Sequence, residues 1–138
     1  MALKFPRSPH EQAQRTLTIT THRTGHTTTI AAQGRIDLAT EHPWHDALMT
    51  TATTDPTTDH LIVDLTAVTF LSWASTAVLL RAHRACTRRG RTLTIHARGP
   101  VLTGLQLTSL HDELHIVPAT TPAPSPRRQA AASGWLIA

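Results

Sequence analysis

At 138 residues, 40% of them hydrophobic, the chain has material for one domain with one core and little more. A single cysteine, Cys86, excludes an internal disulfide framework, and no apolar run approaches the roughly 18 residues that span a bilayer. Thirteen Lys and Arg against nine Asp and Glu give a formal net charge of +4, which bears on solubility and anionic surfaces rather than on fold.

Residues 1–14 are polar and punctuated by prolines, and are expected to be a flexible N-terminal segment. Met1 to His10 lacks an apolar h-region, so no secretory signal is read there and a cytoplasmic setting is expected. From Arg15 the pattern turns to alternation, with Leu17 and Ile19 between Thr16, Thr18 and Thr20. Thr24-Gly25 marks a turn and Thr27 to Ala32 keeps the β-favouring composition, which predicts a hairpin of two strands. Gly34 to Leu38 leads into a helix start with Thr40 as N-cap, Glu41 at the positive end and Pro43 in the first turn. Trp44, Ala47 and Leu48 give that helix one apolar face. Thr50 to Asp59, threonine-rich and holding Pro56, reads as a breaker.

Leu61-Ile62-Val63-Asp64-Leu65 is the short apolar run of a buried central strand. Trp73 to Arg89 predicts a second helix, closed by Gly90 at C′ with Arg88 and Arg89 in its last turn. Leu93-Thr94-Ile95 reads as a strand, Pro100 to Leu107 as a third helix, and Leu114 to Val117 as an edge strand. After Pro118 the pattern stops. Residues 119–138, rich in Pro, Ala and Arg and ending in Gly134-Trp135-Leu136-Ile137, are expected to be a disordered tail. Strands alternating with helices predict an α/β domain over residues 15–118, with a mixed central sheet of four to five strands and three to four helices.

Three groups of side chains invite a chemical reading. Arg81, Arg84 and Arg88 share one side of the second helix, which suits a solvated face, and few aromatics are present for base stacking, which argues against nucleic acid. His42 with His45, and His22 with His26, have spacings that could touch a metal, but no cysteine or carboxylate set completes a site, and no metal or cofactor is expected. Cys86 follows His83 by three residues without a third, orienting group, so no catalytic constellation is expected.

Several segments together resemble the STAS domain family. Gly34-Arg35-Ile36-Asp37-Leu38-Ala39-Thr40 is similar to the Gly-Glu-Leu-Asp-Leu-Ala-Thr signature before the family's first helix. LIVDLTAVTFL, Leu61 to Leu71, resembles its central strand and following loop, and Leu79-Leu80-Arg81-Ala82-His83-Arg84 the next helix. Pro100-Val101-Leu102 through Leu107-Thr108-Ser109-Leu110 resembles its third helix and turn. The resemblance implies a non-enzymatic bacterial regulator of transcription, an anti-sigma factor antagonist, whose partner is an anti-sigma factor or related serine kinase. A scaffold domain that assembles with other STAS proteins or binds a small ligand is the alternative; no membrane partner is implied.

In the family, phosphorylation of a serine at the start of the second helix, in Asp-Ser-Ser/Thr-Gly, breaks the complex. This sequence has Ser72-Trp73-Ala74-Ser75 there, and an indole cannot be phosphorylated. Ser72 and Ser75 remain as displaced acceptors. The resemblance places partner binding on Asp37, Ser72, Trp73, Ser75 and Thr76, expected as one exposed patch outside the carboxyl ends of the strands. Asp37 reads equally as a contact or as a loop carboxylate; Trp73 reads as an interface anchor ahead of core cover, because helix starts in this fold point outward.

Overall fold

The computed structural model describes residues 17–108 and 112–119. Expectations for residues 1–14, for Ser109 and Leu110, and for the tail beyond Ala119, Trp135 included, lie outside them. Five strands and three helices follow one another as β1 (Leu17–Thr24), β2 (Thr27–Ile36), α1 (Glu41–Thr54), β3 (His60–Leu71), α2 (Trp73–Arg88), β4 (Thr92–Ala97), α3 (Gly99–Gln106) and β5 (His115–Pro118). The strands form one mixed sheet in chain order, β1 antiparallel to β2 and the others parallel. The expected architecture is met.

Side-chain alternation divides the sheet. Ile30, Ala32, Leu61, Val63, Leu93 and Ile95 are buried in one core with Trp44, Leu48 and Ala52 of α1, Val78, Leu79, Ala82 and Cys86 of α2, and Val101 and Leu105 of α3. Thr29, Ala31, Ile62, Thr94 and His96 point the other way and are only half-buried. The core is aliphatic apart from Trp44, as the aromatic poverty requires.

Two local outcomes differ from the sequence reading. The first helix runs through Thr54, into the segment read as a breaker. The hydroxyls of Thr51, Thr53 and Thr54 donate to the carbonyls four residues back at 2.7, 2.8 and 2.7 Å, so they bond within the helix instead of competing with it. Arg91 then donates to the Ala52 carbonyl at 2.7 Å and to the Asp55 carbonyl, which satisfies exposed acceptors at that helix end. The turn before Arg91 closes α2 as expected, with Gly90 at φ 70°.

The central strand is also longer than its apolar run. Between the pairs Ala31–Asp64 and Gln33–Ala67, and again between Gly34–Val68 and Arg35–Phe70, β3 carries one residue more than β2. The first of these bulges buries Asp64, whose Oδ1 accepts from the Thr66 amide at 2.9 Å and the Thr66 hydroxyl at 2.6 Å. The second ends with Leu71 opposite Ile36, where the Ser72 amide donates to the Ile36 carbonyl at 2.8 Å. The ends of β2 and β3 therefore meet, and α1 and α2 start from the same corner.

Candidate functional site

The loop between β2 and α1 is held from inside. Thr40 stands at the N-cap position of α1 but its side chain caps nothing there. Fully buried, its hydroxyl receives the Asp37 amide at 2.8 Å and donates to the Arg35 carbonyl at 2.7 Å. Partial burial pushes the Asp37 carboxyl up; the Ala39 amide, the Arg35 guanidinium and the Thr40 groups outweigh it and hold the carboxyl below its usual range. Arg35 also lies 4.7 Å over the Phe70 ring, tying this loop to the end of β3.

The second helix opens at Ser72, whose Oγ accepts the Ser75 amide at 3.3 Å as a true side-chain cap. Trp73, its first residue, is 75% exposed. Of the five residues expected in one exposed patch, Trp73 is exposed and Asp37 and Ser72 are half-buried, while Ser75 is fully buried and Thr76 nearly so. The exposed patch is therefore narrower than expected. Ser75 and Thr76 occupy the third and fourth positions of the helix, whose first turn carries Ser75 toward His45 of α1 and Thr76 toward Phe70 and Val101 on the other side.

The face toward α1 holds a chain of polar groups. Ser72 Oγ donates to the Glu41 carboxylate at 2.8 Å, the hydroxyls of Ser72 and Ser75 are 2.8 Å apart, and Ser75 Oγ is 2.9 Å from His45 Nε2. Burial lowers the His45 pKa; Glu41 raises it, and Arg81 and His42 lower it further. On the outward side lies a groove of about 330 Å³ lined by Phe70, Trp73, Pro100, Val101, Gly104 and Leu105, with threonines at its margin. Leu38, next to Asp37, and Leu107, just past α3, are also exposed.

Sequence reasoning missed Glu41 and His45 as site residues, and with them Phe70 and the α3 wall of the groove. Glu41 and His45 are four apart on a helix, a visible spacing, but only the packing of α1 on α2 brings them to Ser72 and Ser75. Phe70 stands opposite outward-facing Arg35, on the side that alternation from Leu61 also gives it, but nothing local marks it as the wall of a groove shared with α3.

The remaining candidates do not join this corner. Arg84 is engaged bidentately by Glu113 at 3.0 and 3.2 Å, which takes the middle of the arginine stripe. His22 pairs with Thr24 and His26 with the Thr57 carbonyl, and among the described residues no three His, Cys, Asp or Glu side chains are placed to hold a metal. Burial pushes the Cys86 thiol up against the pull of Arg91 and Arg89, which keeps it protonated. No helix among the described residues is long and apolar enough to cross a membrane.

Residues 19–118 match the family described as "Mlab, STAS domain". No curated protein sequence matches the chain. Among solved structures, an anti-sigma factor antagonist from Mycobacterium paratuberculosis superposes with a TM-score of 0.65 at 20% identity, over 84% of this chain and 92% of that one. The Bacillus cell fate determinant SpoIIAA in its phosphorylated form gives 0.58 at 14% identity, over 84% and 99%. The murine Slc26a9 anion transporter gives 0.60 at 12% identity, with 72% of this chain matching 17% of the transporter. At these identities the structural likeness establishes the fold.

Proposed function

The chain belongs to the STAS domain family, and on that premise we propose that it is a protein-binding regulatory module of the anti-sigma factor antagonist kind. Its partner is an anti-sigma factor or a related serine kinase, met in a bacterial cytoplasm, and the chain contributes no catalysis. The observation that carries this reading is Trp73, three-quarters exposed at the start of α2 beside Asp37 and Ser72. An exposed indole at a helix start is costly to keep in water and is the side chain most often found as an interface anchor. Asp37, Ser72 and Trp73 make the contact, with Ser75 and Thr76 supporting it from below.

The module is unswitched at this corner. Trp73 has no hydroxyl, Ser75 is buried, and Ser72 already gives its proton to Glu41 while accepting from Ser75. Recovered from its own cells and analysed by mass spectrometry, the protein should carry no phosphate on Ser72 or Ser75; stoichiometric phosphate on either overturns the unswitched reading. Nucleic acid is disfavoured by charge placement. Lys4, Arg7, Arg15, Arg127 and Arg128 against Glu11 make up the whole cationic excess, so residues 17–119 are balanced.

The partner test is affinity capture from those cells followed by calorimetry with the purified partner. Truncating such an anchor costs about 2 kcal/mol or more, roughly thirtyfold in affinity, so Trp73→Ala should fail where Arg84→Ala binds normally. The reverse result would move the working surface to the arginine face.

A scaffold or ligand-binding role is the second reading, and the groove beside Trp73 favours it. Gly104 lines that groove and nothing lies within 4 Å of where its Cβ would stand, so Gly104→Leu fills the groove from a helix position free of backbone strain. Loss of a small apolar ligand in Gly104→Leu, with protein binding retained, would favour this second role.

A further inference from the structure

Glu41 and His45 lie one turn apart on α1, and Ser72 and Ser75 three residues apart at the start of α2. Proton accounting orders the chain between them. A carboxylate only accepts, so the 2.8 Å contact consumes the single Ser72 hydroxyl proton. Ser72 Oγ then accepts twice, from the Ser75 amide at 3.3 Å and from the Ser75 hydroxyl at 2.8 Å. With the Ser75 proton spent, its oxygen must accept from His45 Nε2 at 2.9 Å, which fixes the neutral imidazole as the Nε2–H tautomer. Every link points the same way, from His45 through Ser75 and Ser72 to Glu41, and aligned links strengthen one another.

We infer that this chain is the positioning device of the Trp73 surface: Glu41 and His45 hold the first turn of α2 on α1. The groups facing His45 are Glu41 and His42 on its own helix and Arg81 on α2. A proton on the half-buried ring is drawn by Glu41 but opposed by Arg81, by His42 and by burial, and the opposition prevails. Glu41 and His45 act through the serines and need not touch the partner. The consequence for binding rests on the proposed role of Trp73; the positioning itself does not.

Nuclear magnetic resonance on the labelled full chain tests it without a partner. Long-range proton–nitrogen correlation at pH 7.5 should show His45 protonated on Nε2. In His45→Ala, amide exchange at Ser75 and Thr76 should accelerate roughly tenfold, whereas His45→Gln, which keeps an N–H donor, should stay within about twofold of wild type. On acidification the Trp73 and Ala74 amide shifts should follow the His45 midpoint, which lies below 6.5, and should be flat in His45→Gln. An Nδ1–H tautomer overturns the inference, as does a Trp73–Ser75 segment indifferent to His45→Ala in a folded variant. A partner that binds Trp73→Ala normally would instead sink the proposed function and leave the positioning result standing.

Discussion

Trp44 and Trp73 both sit near the start of a helix, and the fold treats them oppositely. Trp44, at the fourth position of α1, is 0% exposed on the face it shares with Leu48 and Ala52. Trp73, the first residue of α2, is 75% exposed and stands ahead of the turn that carries Ser75 and Thr76 inward. Helical phase alone makes the difference, and it separates two uses of one side chain. The first indole fills a core otherwise built of aliphatics; the second contributes little to that core and so is free to serve a contact. The buried ring even carries a cost, since its N–H finds no acceptor among the described residues.

The sharpest way to break this contrast is paired truncation. Trp44→Ala should lose about 3–5 kcal/mol in urea denaturation, the usual range for a fully buried aromatic, while Trp73→Ala should stay within about 1 kcal/mol. Trp44→Phe should lose much less than Trp44→Ala, because it removes the orphaned donor along with part of the ring. Equal losses at Trp44 and Trp73 would mean that the second indole packs where it is described as exposed. Next in size is the cap: Ser72→Ala should cost about 1 kcal/mol or somewhat more, since it removes the N-cap and interrupts the chain to Glu41.

Acid sharpens the contrast from the His45 side. A histidine whose pKa is lowered on folding leaves the unfolded chain binding protons first. Stability should therefore fall as pH drops below 6.5, and this contribution should level off once folded His45 is itself protonated. His45→Gln should show a shallower slope in that window in denaturation curves taken at several pH values. Asp37, lowered from 3.8, adds stability that is present above that value and lost as pH falls through its lower folded value. The smallest effect belongs to Arg84→Ala, which should change stability by no more than about 0.5 kcal/mol, because both partners of the Arg84–Glu113 pair are substantially exposed.

How much of this could be read from the chain depends on the range of the interactions involved. The order of elements was legible because it rests on local signals: alternation at Leu17 to Ile19, the apolar run at Leu61, Gly90 after a helical stretch. The end of α1 was not, because threonine is ambiguous until its hydroxyl finds a carbonyl four residues back. The outward position of Trp73 followed from its place at a helix start. The burial of Ser75 and the roles of Glu41 and His45 required the packing of α1 on α2, and no spacing within one segment encodes that.

The two bulges in β3 set a condition on length. Without them Thr69 rather than Leu71 would stand opposite Ile36, and each surplus residue exchanges the inward and outward sides of everything that follows. Two surpluses restore the parity while carrying the chain farther along the sheet, so the strand works as a spacer with a counting rule. Removing one residue between Asp64 and Phe70 would turn the end of the strand inside out. Removing two would restore its sides but withdraw Ser72 from Ile36 by about 7 Å, the rise of two strand residues. Segment length here is as tightly constrained as composition, and single-residue deletions should be less tolerated at these positions than almost any substitution.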